Sequence, residues 1–277
     1  MSYDDSKAQQ LLNLHKGPKI LVLPNAWDAA SARVFEVAGF PAIATSSAGI
    51  AFSWGYPDGQ RIDVNEMLTA VWNIVRTVSI PVTADMESAY ATTPEEVAER
   101  VEQLIEIGVV GMNFEDATGD PQHPLFDMPE QVEKIRQIKS FTASIKKTFV
   151  LNARTDVFLL GIGDESERFG LALERLIAYR DAGADCLFVP GLNDPAIISK
   201  LVKELNHPIN ILGTVGTPSI PELEKLGVAR VSIGSGPMRA AMGVVRRIAE
   251  ELKNTGTYRA FTDGAIPYQE LNQLMSK

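Results

Sequence analysis

Apolar residues in this chain come in short runs of four to six, set apart by stretches whose apolar positions recur at helical spacing. The runs begin near Ile20, Ala42, Pro81, Val110, Phe149, Cys186, Pro208 and Arg230. Several are β-branched, as parallel strands buried on both faces tend to be. An amphipathic helix is predicted over residues 4–15, ahead of the first strand. The intervening helices carry their own start signals. Asp28 is placed to cap the helix after the first strand. Asp63 with Glu66, and Thr93 with Glu96, have capping-box spacing. Pro94, Pro129 and Pro195 suit first helical turns. Gly39, Gly108, Gly183 and Gly227 each follow a helical pattern and precede the next apolar run, as helix-stopping residues do.

Eight strand–helix alternations predict an α/β fold, a (β/α)8 TIM-type barrel spanning residues 1–277 as one domain. The competing open, doubly wound sheet usually shows a glycine fingerprint after its first strand. Here that turn is Leu23-Pro24-Asn25-Ala26-Trp27-Asp28, without glycine. Residues 1–18 form an N-terminal helical segment and 236–277 a C-terminal helical extension. The extension reads as a long helix to about Lys253, a turn at Asn254-Thr255-Gly256 and a last helix after Pro267. Helices beyond the eighth repeat often pack on another subunit, so an oligomer is expected.

The strand ends bring in the chemistry, because a barrel gathers its functional groups at the C-terminal ends of its strands. Those ends read Asn25; Thr45-Ser46-Ser47-Ala48-Gly49; Asp85 and Glu87; Glu115 and Asp116; Asn152 and Arg154; Pro190-Gly191; Gly213-Thr214; Gly234-Ser235. Four acids and one arginine share a rim, and Asp58 in the loop Gly55–Gly59 can join them. Clustered carboxylates are costly unless a cation or a proton holds them together. Donors that are all oxygen suit Mg²⁺ or Mn²⁺, and Mg²⁺ takes one or two carboxylates directly and keeps waters. The Thr-Ser-Ser-Ala-Gly turn offers hydroxyls and N–H groups to a carboxylate, and Arg154 offers a planar fork. A small 2-oxo acid bound to such a cation could form a stabilised enolate. Plainer readings stand beside these: Asp116 as a helix cap, Arg154 as a structural ion-pair partner, and the loops at 213–216 and 234–236, which follow the seventh and eighth strands where barrels often bind phosphate, as tight turns.

The totals narrow the partners. A net charge of −9 gives no overall attraction to nucleic acid or anionic lipid, and no apolar run approaches a membrane span. The one cysteine, Cys186, reads as a buried small hydrophobe and fits a reducing cytoplasm. No signal peptide is visible at Met1-Ser2-Tyr3. The three histidines, His15, His123 and His207, lack the spacing of a zinc helix.

The motifs Thr45–Gly49, the Asp58 loop, Asp85-Met86-Glu87, Phe114-Glu115-Asp116 and Asn152–Asp156 together resemble the isocitrate lyase / phosphoenolpyruvate mutase superfamily, from about Ile20 to Glu251. The resemblance implies a Mg²⁺-dependent barrel acting on 2-oxo or 2-hydroxy acids through an enolate. It also implies a homotetramer, a dimer of dimers that swap a C-terminal helix. On it, Asp85 is the direct metal ligand, and Asp58, Glu87 and Glu115 hold metal waters. Ser46, with the N–H groups of Ser47 and Ala48, binds the substrate carboxylate; Arg154 takes a carboxylate or enolate oxygen, and Asp58 is also among the substrate-binding residues.

The sequence departs from the superfamily in the gate loop after Glu115. Residues 117–126 read Ala-Thr-Gly-Asp-Pro-Gln-His-Pro-Leu-Phe, with neither the cysteine of the isocitrate and methylisocitrate lyases nor the lysine of the phosphonopyruvate enzymes. His123 is the one loop side chain with a suitable pKa for acid–base work. Asp58, Arg154 and His123 are therefore the candidates for catalysis. Decarboxylation of an oxaloacetate-like acid suffers least from the missing cysteine, because CO₂ leaves without a general base. Phosphorus–carbon chemistry, as in phosphonopyruvate hydrolase or mutase, and non-catalytic 2-oxo-acid binding are the alternatives.

Overall fold

The computed structural model describes residues 3–276. Each apolar run contains a strand: β1 (Leu21–Leu23), β2 (Asn25–Ala26), β3 (Ile43–Thr45), β4 (Val82–Asp85), β5 (Gly111–Glu115), β6 (Val150–Arg154), β7 (Cys186–Phe188), β8 (Ile209–Leu212) and β9 (Arg230–Ser232). All neighbouring pairs are parallel. β1 pairs with β9 and β2 with β3. The two are one barrel strand broken at Pro24, which has no N–H for the ladder. Its carbonyl still accepts the Ala44 N–H at 2.9 Å. The sheet thus closes as the expected eight-membered barrel.

Helix α1 (Asp5–Leu14) does more than precede the barrel. It buries Ala8 and Leu11 against Leu21, Leu23, Val110 and Val150 at the N-terminal ends of the strands. Asp5 Oδ1 accepts the Thr148 N–H at 2.7 Å, which fixes the helix across the barrel floor. Helices α2 (Ala29–Val37), α3 (Ser47–Ser53), α4 (Val64–Val75), α5 (Pro94–Glu106), α6 (Met128–Ser144), α7 (Glu165–Asp181), α8 (Pro195–Leu205) and α9 (Ile220–Lys225) follow in order. The Thr93–Glu96 box forms on α5, and Asp28 caps α2 through Ser31. The Asp63–Glu66 box does not: Asp63 accepts the Asn65 N–H at 2.8 Å, and Glu66 makes no return bond. The stretch read as a turn after β3 winds into α3, because Ser46 Oγ accepts the Gly49 N–H at 3.1 Å as an N-cap.

The C-terminal extension forms α10 (Gly236–Asn254), α11 (Arg259–Thr262) and α12 (Tyr268–Met275). α12 packs on α2 and α11 on α10. Met238 is the one buried residue of α10, while Met242, Val245 and Leu252 stay exposed. Among the described residues, no helix is long and apolar enough to cross a membrane.

Candidate active site

β4 carries its residues straight to Asp85, and there the strand ends. Glu87 lies beyond the strand and does not continue its alternation. It has φ +52°, and Ala89 and Tyr90 follow at +66° and +53°. Three non-glycine residues in the left-handed region within four positions are a strained turn, of the kind that collects at functional sites. The turn is held on one side by the Glu115 N–H, which donates to the Glu87 carbonyl at 3.0 Å. It carries the Glu87 side chain to the wall of a cavity of about 360 Å³ at the barrel mouth.

Asp58, Glu87, Glu115, Arg154 and Asp156 supply the cavity's charged lining, and Ser47, Gln60 and Thr118 add polar groups. Asp85 stands behind this wall, bonded to it through Ser47. The Ser47 N–H and Oγ donate to Asp85 Oδ2 at 3.1 and 2.9 Å. Asn113 Nδ2 donates to Oδ1 at 3.2 Å, and Asn113 in turn accepts from Arg230, wholly buried inside the barrel, at 3.1 Å. Burial lowers the Arg230 pKa to about 10. Asp85 is thus oriented from both sides before any ligand arrives.

Arg154 is gripped by two acids. Its Nε and Nη2 donate to Asp156 at 2.6 and 2.8 Å, and its Nη1 meets Glu115 Oε2 at 2.6 Å. Burial opposes its charge, but Glu115 and Asp156 outweigh burial and keep the guanidinium firmly protonated. Burial pushes Glu115 upward, and Arg154 counters that push. Glu87 has no such partner. Burial first, then Asp58 and Asp85, push its pKa up to about 8. Its Oε1 is buried without a hydrogen bond. Partial desolvation and the charge of Asp85 also raise Asp58.

Among the described residues, no three acidic, histidine or cysteine side chains converge tightly enough to enclose a bare cation. A Mg²⁺ ion that takes one or two carboxylates and keeps its waters does not need such a cage. The unmet oxygen of Glu87 and the mutual repulsion of Asp58, Asp85 and Glu87 fit a hydrated cation.

The remaining candidates lie around this centre. Ser46 is buried and caps α3, next to Ala48 in its first turn. His123 is exposed on the gate loop and does not line the cavity. Its carbonyl accepts from Thr118 Oγ1. Asp116 is neither a helix cap nor part of the cavity wall. It is fully buried and accepts the Asp156 N–H at 2.9 Å, Arg175 Nη1 at 3.1 Å and the Tyr179 hydroxyl at 2.8 Å. Arg175 Nη1 also donates to the Phe126 carbonyl at 3.0 Å, tying down the end of the gate loop. Sequence reasoning missed Arg175, Tyr179 and the clamp that Asp156 places on Arg154. Of these, only Asp156 had a signal, since it closes the Asn152–Asp156 motif.

A closed eight-stranded barrel with carboxylates after its second to fourth strands, facing an arginine from the fifth, is the architecture of the isocitrate lyase / phosphoenolpyruvate mutase superfamily. The chain matches the family model "Phosphoenolpyruvate phosphomutase" over residues 11–253 and belongs to that family. It is 34% identical to an uncharacterized protein of Mycobacterium tuberculosis (strain H37Rv), over 94% of this chain and 93% of that one. It is 28% identical to 2-methylisocitrate lyase of Escherichia coli K12, over 84% and 80%. Its fold superposes on oxaloacetate acetylhydrolase bound to its product oxalate with a TM-score of 0.86, at 25% identity, over 99% and 95% of the two chains. The family therefore holds both lyases and mutases, and the family alone does not choose between them.

Proposed function

We propose that this protein is a Mg²⁺-dependent carbon–carbon lyase. It acts on a small 2-oxo or 2-hydroxy acid through an enolate, with oxaloacetate-type decarboxylation the favoured reaction. The observation that carries this reading is the pair Asp58 and Glu87 on one cavity wall with Asp85 directly behind it, where burial first, and then Asp58 and Asp85, raise Glu87 to about 8. Asp85 is the direct ligand in this reading, and Asp58, Glu87 and Glu115 hold metal waters; Mn²⁺ suits the same oxygens. When bound, the ion would supply the Lewis acidity that stabilises negative charge on the 2-oxygen. In this reading Ser46 and the N–H groups of Ser47 and Ala48 receive the carboxylate, which requires the Ser47 N–H to leave Asp85, its acceptor in this structure. Arg154, kept protonated by Glu115 and Asp156, faces the same cavity and steadies the developing oxyanion.

The choice of decarboxylation rests on the gate loop. It has no cysteine or lysine, and its histidine stands off the cavity wall. Retro-aldol cleavage needs a base for the hydroxyl and an acid for the enolate; CO₂ departs without the base. The exposed apolar side chains of α10 to α12 support a homo-oligomer in which this extension meets a second subunit. Its single, buried cysteine suits work in the cytoplasm.

Steady-state assays with Mg²⁺ on oxaloacetate, 2-methylisocitrate, 2,3-dimethylmalate and phosphonopyruvate test the reading. Turnover of an oxaloacetate-type acid, lost in EDTA, is the expected result. Turnover of phosphonopyruvate alone would replace it with phosphorus–carbon chemistry. Tight oxalate binding with no turnover of any acid would make the protein a binder.

A further inference from the structure

The polar cavity does not end at its acids. A second depression, of about 440 Å³, opens between the gate loop and the loop that follows β6. Ala117, Pro121 and Pro124 form one wall, and Leu160 and Ile162 the other. Ala117, Gly119 and Leu160 line both spaces, so the groove continues the cavity. Leu160 is 47% exposed, and its neighbour Leu159, which lines the polar cavity, is 48% exposed. The gate-loop wall is pre-formed, with the Thr118 N–H donating to the Pro124 carbonyl at 3.0 Å and Ala117 bridged to Leu125.

Charge decides what such a groove can accept. Its one charged lining residue among those described is an acid, Asp120. The one cation lining either space is Arg154, and its fork is taken by Asp156 and Glu115. Among the described lining residues of the groove, a second or third carboxylate far from the reacting carbons would meet only the acid Asp120; Arg168, a cation outside the lining, donates to the Gly161 carbonyl at 3.4 Å. A hydrocarbon group would cover Leu160 and Ile162 and gain the ordinary free energy of apolar burial.

We infer that this groove is a subsite for an uncharged alkyl substituent on the third carbon of the substrate. The inference rests on the 2-oxo-acid reading of the adjoining cavity. The carboxylate and 2-oxygen occupy the polar end, and the chain beyond carbon 3 leaves along Leu160 and Ile162. The space far exceeds a methyl group, so chains of several carbons belong to the substrate class.

Calorimetry in the presence of Mg²⁺ tests this on the intact protein with pyruvate, 2-oxobutyrate, 2-oxopentanoate, 2-oxohexanoate and 2-oxoglutarate. The expected result is a Kd that falls about two- to fourfold for each added methylene. 2-Oxoglutarate, the carboxylate-ended counterpart of the longer acids, binds at least about tenfold more weakly than 2-oxopentanoate. Ile162→Asn flattens the series, and Ile162→Val keeps its slope. Pyruvate binding with no gain along the wild-type series overturns the subsite while the polar site stands. Tightest binding of 2-oxoglutarate also overturns it. Binding of none of the five overturns the subsite and the 2-oxo-acid reading together.

Discussion

Glu87→Gln gives a direct test of the charge cluster. The substitution keeps the shape and the left-handed backbone of the side chain and removes the ability to ionise. In the folded protein the Glu87 pKa is about 8, against 4.5 in an ordinary setting, with burial the main cause. A raised carboxyl makes stability greatest where it is protonated. The contribution is full below about pH 4.5 and is lost as pH rises through 8. Each pH unit in that window costs about 1.4 kcal/mol. At pH 7 the metal-free wild type is therefore less stable than Glu87→Gln by up to about 3 kcal/mol. Urea unfolding in EDTA from pH 5 to 8.5 measures it. Wild-type stability falls across the range by more than that of the variant, and the gap grows with pH. Added Mg²⁺ then stabilises the wild type more than the variant, by binding the folded state. A gap that stays constant with pH, or a wild type no less stable at pH 8 than at pH 5 relative to Glu87→Gln, would refute the reasoning.

Three other substitutions probe separate parts of the site. Asp85→Ala removes the acceptor of both Ser47 donors, so it is expected to cost about 1–3 kcal/mol of stability and to abolish Mg²⁺-dependent oxalate binding; unchanged Mg²⁺ affinity by calorimetry would reject Asp85 as the ligand. His123→Ala leaves a decarboxylase within about twofold in kcat and lowers a retro-aldol lyase by about 100-fold or more; equal losses on both reactions would assign the residue to loop closure. Arg175→Met removes the bond to the Phe126 carbonyl and leaves Asp116 short of a buried cation. Amide exchange across 117–126 is expected to speed up, at a global cost of about 3–5 kcal/mol. Unaltered exchange in the loop would show that Arg175 does not anchor it.

Much of the molecule is legible along the chain because its determinants are local. Strand positions follow from apolar runs, and the Thr93–Glu96 box and the Pro94 and Pro195 starts follow from residues a few places apart. The acids at strand ends are visible for the same reason, since parallel strands of a barrel all deliver their last residues to one rim. What the chain alone left open depends on partners far away in sequence. Asp116 reads as a rim acid or a cap, yet its oxygens are taken by Arg175 and Tyr179, 59 and 63 positions downstream. Glu87 reads as a strand-end acid, whereas a left-handed turn, pinned by Glu115 on the neighbouring strand, sets its direction. α1 reads as a preface and becomes the barrel floor through contacts with β1, β6 and Val110, just ahead of β5. The apolar groove exists only where two loops meet. Local spacing determined which elements form and which charges reach the mouth. Long-range packing decided which of those charges are neutralised, which face the cavity and what lies beside them, because burial and ion pairing are set by neighbours in space.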